Sequence, residues 1–431
     1  MSGQSPCSSY QKSNWRRYVG LPSALQSLNF VLAFILFLLY SQFNTSATFT
    51  GTFLFTEKAT WISSLGINYS MGVDGISVLL VALTALLTPV CILSSFRIDQ
   101  KVKNYMAFML LLESGIIGVF VAANLFLFYI FWELMLIPAY FLVGSWGGQR
   151  RIYAALKFVL YTSVGSLLML AGIIALGYYH QVAAGGGYTL ELSDLLNTKL
   201  TGATQMWVFL AFAAAFAVKV PFVPFHSWLP DTYSEAPAPV TAMLAGAMSK
   251  TGAYGFLRFC IPLFPSAVRT LEPLFSILAI IGILYCAVLA LMQTDMKRLL
   301  GYSSISHLGV IMLGMFAFNT QGVEGSVLQM VNHGITTAAL FLIVGFVETR
   351  TGTRQLKDFG GLATRIPVLA TVMFIAALSS LGLPGLNSFA GEFLSLLGAF
   401  RNNITFGILG TAVVVPAAWY LIRFFQGMME N

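Results

Sequence analysis

Almost the whole chain is a succession of apolar stretches, each of bilayer-crossing length, with little polar sequence between them. Crossing about 30 Å of hydrocarbon takes roughly twenty apolar residues in helical conformation. Twelve candidate spans can be placed, near 22–41, 73–95, 104–121, 123–144, 155–178, 205–225, 237–260, 271–292, 299–318, 326–347, 367–398 and 404–425. Hydrophobic residues make up 57% of the chain and charged ones only 9%, which is the composition of an all-α polytopic membrane protein. The connections are short apart from 42–72 and 179–204, so no separate soluble domain fits.

The net charge of +7 follows topology and is not a nucleic-acid footprint. Loops on the side of the N-terminus carry sixteen of the 23 basic residues, among them Arg97, Arg150, Lys157, Lys297, Arg298 and Arg354. The opposite side carries Lys58, Lys199, Arg258, Arg269 and Arg401. The positive-inside rule then places both termini in the cytoplasm, or in the stroma or matrix of an organelle. Residues 1–17 read as a polar, disorder-like cytoplasmic leader. The first span lacks a small-residue cleavage site, which makes it a retained helix. Cys7, Cys91, Cys260 and Cys286 have no ligand spacing and read as apolar fillers, so no metal or iron–sulfur site is expected.

The remaining charges are placed where charges are expensive. Lys219 lies about fourteen residues, or roughly 20 Å, into its helix. The helix then meets Pro221 and Pro224, a sign of an interrupted helix exposing backbone dipoles at a midplane site. Glu133 lies in LFLFYIFWELMLIPAYFL, with Pro138 five residues on. Lys250 ends the small-residue segment PAPVTAMLAGAMSK, which allows close helix approach or water entry. The stretch 367–398 would be about 48 Å long as one straight helix, and Gly382-Leu383-Pro384-Gly385 is the natural break. Glu392 then falls about two turns into the second half. For each of these the bland alternative is packing: a neutral carboxyl, a snorkelling lysine, or a lysine on a neighbour's carbonyls. Burial disfavours the charged form of every one, so a buried acid and a buried lysine in one site form a switch between neutral and ion-paired states. The series reads as an ion path through a membrane.

His307 and His333 sit in weakly polar patches of apolar helices and are candidate relay members. His226 lies at the first helix break with Trp228 and Asp231, where a structural hydrogen bond is the simpler role. Glu113 is a candidate to couple to Glu133 from the preceding helix. Asp295, Lys297, Asp231 and Glu235 are expected to cap helices or pair at the interface. The chain has no nucleophile elbow, phosphate loop or dinucleotide fingerprint.

The segments FLFYIFWELMLIPAYFLVGSWGG, KVPFVPFHSWLPDTYSEAPAPVTAMLAGAMSKTGAYG, RLLGYSSISHLG, LGLPGLNSFAGEF and GVDGIS closely resemble the antiporter-like membrane subunits of respiratory complex I and its photosynthetic relatives. They span roughly residues 57–425, and the best resemblance is to the chain 4, or M-type, branch, because that branch carries an acid in the second broken helix where its sister chains carry lysine. The resemblance implies two inverted five-helix repeats, each with one broken helix, here 104–260 and 271–425, after N-terminal helices in 18–103. It implies that Glu133 and Lys219 are the paired charges of the first half-channel and that Lys250 is the connecting lysine. His307 and His333 would then be the relay, and Glu392 the terminal group.

The same resemblance implies a proton-translocating subunit of an NADH:quinone oxidoreductase, with no redox site on this chain. NADH, FMN, iron–sulfur clusters and quinone belong to partner subunits, and the partners are other membrane-arm subunits, the sister antiporter-like chains included, in a lipid bilayer. A bacterial inner membrane is the expected location, a thylakoid or mitochondrial inner membrane the alternative. Family members usually have fourteen helices, and the two fewer counted here fall at the ends. The competing readings are a subunit of a multi-chain sodium/proton antiporter or membrane-bound hydrogenase, and a structural spacer that does not pump.

Overall fold

A computed structural model describes residues 7–42, 53–63, 67–184 and 187–430. Helix α1 (Cys7–Gln42) begins well before the first expected span, so the polar leader is helical from Cys7, and its first six residues lie outside the described residues. An antiparallel hairpin follows, β1 (Leu54–Ile62) with β2 (Ile67–Val73), where the sequence was read as a connection. Then come α2 (Gly75–Ser94), α3 (Val102–Val121), α4 (Leu125–Trp146) and α5 (Arg151–Ala184). The GVDGIS segment is the hinge between hairpin and α2. Asp74 caps the helix by accepting from the Ile76 and Ser77 amides at 3.2 and 2.9 Å, and its own amide donates to Ser77 Oγ at 2.8 Å. The Asn124 side chain caps α4, accepting from the Phe126 and Leu127 amides.

The first broken helix is α6 (Gly202–Lys219) and α7 (Trp228–Glu235), separated at the two prolines. The interruption frees backbone groups inside the protein, and the Trp228 indole meets one of them, donating to the Val218 carbonyl at 3.0 Å. Next, α8 runs through 238–263 and is not a uniform α-helix. Two π-turns, Leu244–Met248 and Phe256–Cys260, bracket the short α-helical piece Lys250–Gly255. After it come α9 (Pro265–Met292), α10 (Met296–Met315) and α11 (Thr320–Thr351). The second broken helix is α12 (Pro367–Ser380) and α13 (Asn387–Asn402), interrupted where the Gly-Leu-Pro-Gly segment placed it, with Gly382 and Gly385 at φ +75° and +94°. The chain ends in α14 (Ile404–Thr411) and α15 (Val414–Met429).

Among the described residues nine helices are long and apolar enough to cross a membrane by length and composition alone. Helix α8 is the buried centre, touching α2, α3, α6 and α11. It crosses α11 glycine on glycine: a Cβ added at Gly334 would lie 2.7 Å from the Gly246 carbonyl, so any larger residue would push the two helices apart. The rim is apolar and outward-facing, with α1 scarcely buried and Leu160, Val164, Leu167 and Val182 exposed along α5. Cys91, Cys260 and Cys286 are buried fillers. Arg258, read as a loop residue, is instead 4% exposed in the second π-turn of α8, paired with Asp74 and bonded to the Tyr254 hydroxyl at 3.2 Å.

Candidate functional site: a line of buried charges

The glycine crossing of α8 and α11 sets the first contact. It brings Lys250, four residues after Gly246, beside His333, which precedes Gly334. Lys250 Nζ lies 2.8 Å from His333 Nδ1, 2.6 Å from the Ala245 carbonyl and 3.1 Å from Ser249 Oγ, with the lysine wholly buried. The π-turn contributes directly. The Ser249 amide bonds back five residues to Leu244 at 2.9 Å, which relieves Ala245 of the amide an α-helix would give it. Its carbonyl accepts from the lysine and from Ser249 Oγ instead. An ammonium donating to His333 Nδ1 leaves the imidazole proton on Nε2, and that nitrogen has no protein partner.

The line continues across α10 to the second broken helix. The rings of His333 and His307 are 5.6 Å apart. His307 Nε2 lies 3.4 Å from Ser380 Oγ, at the last turn of α12, and 3.5 Å from the Tyr420 hydroxyl of α15. Tyr420 is completely buried, shares a 2.9 Å hydrogen bond with Ser303, and is within electrostatic reach of Glu392. Glu392 is 7% exposed, and its Oε2 has no hydrogen-bond partner. That oxygen lies against Gly382 in the break, 2.7 Å from where a Cβ would stand.

The other end is held differently. Lys219, last residue of α6, is fully buried, and its Nζ has no hydrogen-bond partner, while Glu133 Oε1 on α4 is also buried and unpartnered. The two residues are electrostatically coupled without being in ion-pair contact. Lys219 is joined to the central line through backbone proximity, since a Cβ on Gly252 would be 3.0 Å from Lys219 Cβ. The structure thus brings Lys250, His333 and His307 into one succession that reaches Ser380 and Tyr420, and sets Lys219 within electrostatic influence of Glu133 without contact.

Two candidates stand apart. The Glu113 carboxyl faces Thr88 of α2 and Gln26 of α1. His226 packs edge-on against Tyr285 at 5.8 Å. Sequence reading passed over Tyr420, Ser303 and Ser380; Tyr420 carried no signal, because a tyrosine near the end of an apolar helix usually marks the membrane interface.

The surface at the foot of α8 is tied by charge pairs. Asp231 bonds Lys157 at 2.8 Å and Arg298 at 2.7 Å, and Lys297 bonds Glu348 at 2.7 Å. Arg354 reaches Asp295 and Glu235, and Asp295 also caps α10. A cavity of about 300 Å³ opens here at the foot of α8, lined by Arg97, Trp146, Glu235, Pro237, Lys297 and Glu348.

Residues 122–415 match the family described as NADH:quinone oxidoreductase/Mrp antiporter, transmembrane, and residues 21–122 match the amino terminus of NADH-ubiquinone oxidoreductase chain 4. The chain is 43% identical over 380 residues to NADH-quinone oxidoreductase subunit M of Rhodobacter capsulatus, covering 86% of this chain and 73% of that one. It is 41% identical over 375 residues to NADH-ubiquinone oxidoreductase chain 4 of Marchantia polymorpha, covering 86% and 74%. A subunit in the structure of respiratory complex I from Thermus thermophilus with bound NADH superposes with a TM-score of 0.85 at 34% identity, over 96% of this chain and 88% of that one. The chain therefore belongs to the antiporter-like transmembrane family of NADH:quinone oxidoreductases, in its chain 4, or subunit M, branch.

Proposed function

We propose that this chain is a proton-translocating membrane-arm subunit of an NADH:quinone oxidoreductase, moving protons while quinone is reduced on other subunits. The observation that carries the reading is the near-continuous polar line from Lys250 through His333, His307 and Tyr420 to Glu392 inside an otherwise apolar core. Lys250 delivers a proton to His333 Nδ1, His333 releases another from Nε2 toward His307, and Glu392 receives it at the second helix break. Glu133 and Lys219 load the line, since a charge change on either alters the cost of a proton on Lys250. The cytoplasmic cavity at the foot of α8 is the uptake mouth. In this reading twelve crossings are arranged as two inverted repeats, 104–260 and 271–425, each contributing one broken helix. Partner subunits carry NADH, FMN, the iron–sulfur clusters and quinone, and a bacterial inner membrane is the location.

The test is Glu392→Gln in the assembled complex reconstituted into vesicles. Glutamine keeps the volume and removes the titrating group, so proton pumping per quinone reduced should collapse while assembly is retained. Wild-type stoichiometry would show that no proton passes through this position.

A further inference from the structure

The tryptophan that precedes Glu133 has no part in the relay just described. Trp132 is 1% exposed, and the Lys219 ammonium lies 5.4 Å from the centre of its ring, with the Phe158 ring of α5 5.3 Å away. No acceptor bonds that ammonium. A buried cation without an acceptor is strongly disfavoured, but an aromatic face within about 6 Å attracts a cation through its quadrupole, tryptophan most strongly, and more so where water is excluded. The Trp132 ring is also fixed in place, edge-on to Phe216 at 5.5 Å and tilted on Phe128 at 5.6 Å. Trp132 and Glu133 are consecutive on α4, so they point about 100° apart around the helix. They therefore offer the same ammonium two different partners.

We propose that Trp132, with Phe158 beside it, is the holding site for the Lys219 ammonium when its contact with Glu133 is open. The lysine then alternates between a carboxylate and an aromatic face carried by neighbouring residues, and its proton is kept through the open state. Trp132 is a positioning residue in this arrangement: it takes no proton itself. The inference rests on the proton-translocating reading above.

Site-specific incorporation of mono-, di-, tri- and tetrafluorotryptophan at 132 in the whole complex tests it, because fluorine drains the ring quadrupole in steps with little change of shape. Pumping should fall stepwise, by on the order of tenfold at tetrafluorotryptophan. The same series at Trp207, which is 74% exposed, should be flat. Trp132→Phe, which keeps an aromatic face, should pump better than Trp132→Leu. A flat response across the series at 132, with Phe and Leu variants equal, overturns the proposal and leaves Trp132 as packing. Lys219→Ala separates the two readings: if it abolishes pumping while the fluorinated series is flat, only this inference fails, and if it pumps normally, the relay reading itself fails.

Discussion

Lys250 has three hydrogen-bond partners and Lys219 has none, although both are completely buried in the same protein. Around Lys250 the surroundings are polar and specific: a carbonyl offered by a π-turn, a serine and a histidine. Around Lys219 they are aromatic, and the one acid nearby is held out of contact. A hydrogen-bonded cation has a fixed address and hands protons along a fixed direction. A cation among rings is attracted without directional bonds, so it moves at low cost and responds to charge at a distance. In the proposed reading, the difference separates a conducting segment from a sensing one.

The strongest way to break that comparison is at the sensing end. Glu133→Ala or Lys219→Ala deletes one of the two charges whose mutual influence loads the line in the proposed reading. Both variants should lose pumping and coupled quinone reduction by well over tenfold while the complex still assembles, as measured in vesicles and by native gel. Lys250→Arg comes next. Arginine stays protonated under all accessible conditions, so the conducting segment should be locked and pumping should fall roughly tenfold. Normal pumping would make Lys250 structural and route protons around it.

Tyr420→Phe sharpens the far end of the line. It removes one hydroxyl between Ser303, His307 and Glu392, and a single neutral hydrogen bond contributes about 1 kcal/mol. A several-fold loss of pumping is expected, with Ser303→Ala reproducing part of it. An unchanged rate in Tyr420→Phe would assign the transfer from His307 to Ser380 alone. The smallest effect belongs to the charge cluster around Arg354. Arg354 is partly exposed, so Arg354→Ala should cost about 1 kcal/mol of thermal stability in detergent and leave pumping close to normal. A large pumping loss there would make Arg354 necessary for proton entry through the mouth that it lines.

Both helix breaks were legible because proline and glycine punctuate a sequence whatever surrounds them: Pro221 and Pro224 end α6, and Gly382 with Pro384 ends α12. The buried charges were legible for a related reason, since an ionised group in an apolar run has no cheap explanation. The features missed carry no such mark. A π-turn inserts one residue into a helix that is apolar on every side, so no hydrophobic period is available to shift, and the turns flanking Lys250–Gly255 left no trace. The hairpin at 54–73 is rich in β-branched and aromatic residues, but its first strand is mostly exposed, and without an apolar–polar alternation it reads as a connection.

The π-turn ahead of Lys250 also constrains how the gene for this chain is able to change length. Removing one residue from 244–248 would restore ordinary helical winding without shortening the crossing noticeably. The residues on either side would keep their facing, because the turn already absorbs the one extra residue, but the Ala245 carbonyl would take back the amide of an α-helix. Lys250 would lose that acceptor while staying beside His333, although hydropathy and span count were preserved. A single-codon deletion here should yield a membrane protein that inserts like the parent and pumps poorly, whereas a deletion in the α-helical turns outside it should abolish pumping by rotating Lys250 about 100° away from His333. Reading frame is protected everywhere in a coding sequence; in these five codons the residue count is protected as well.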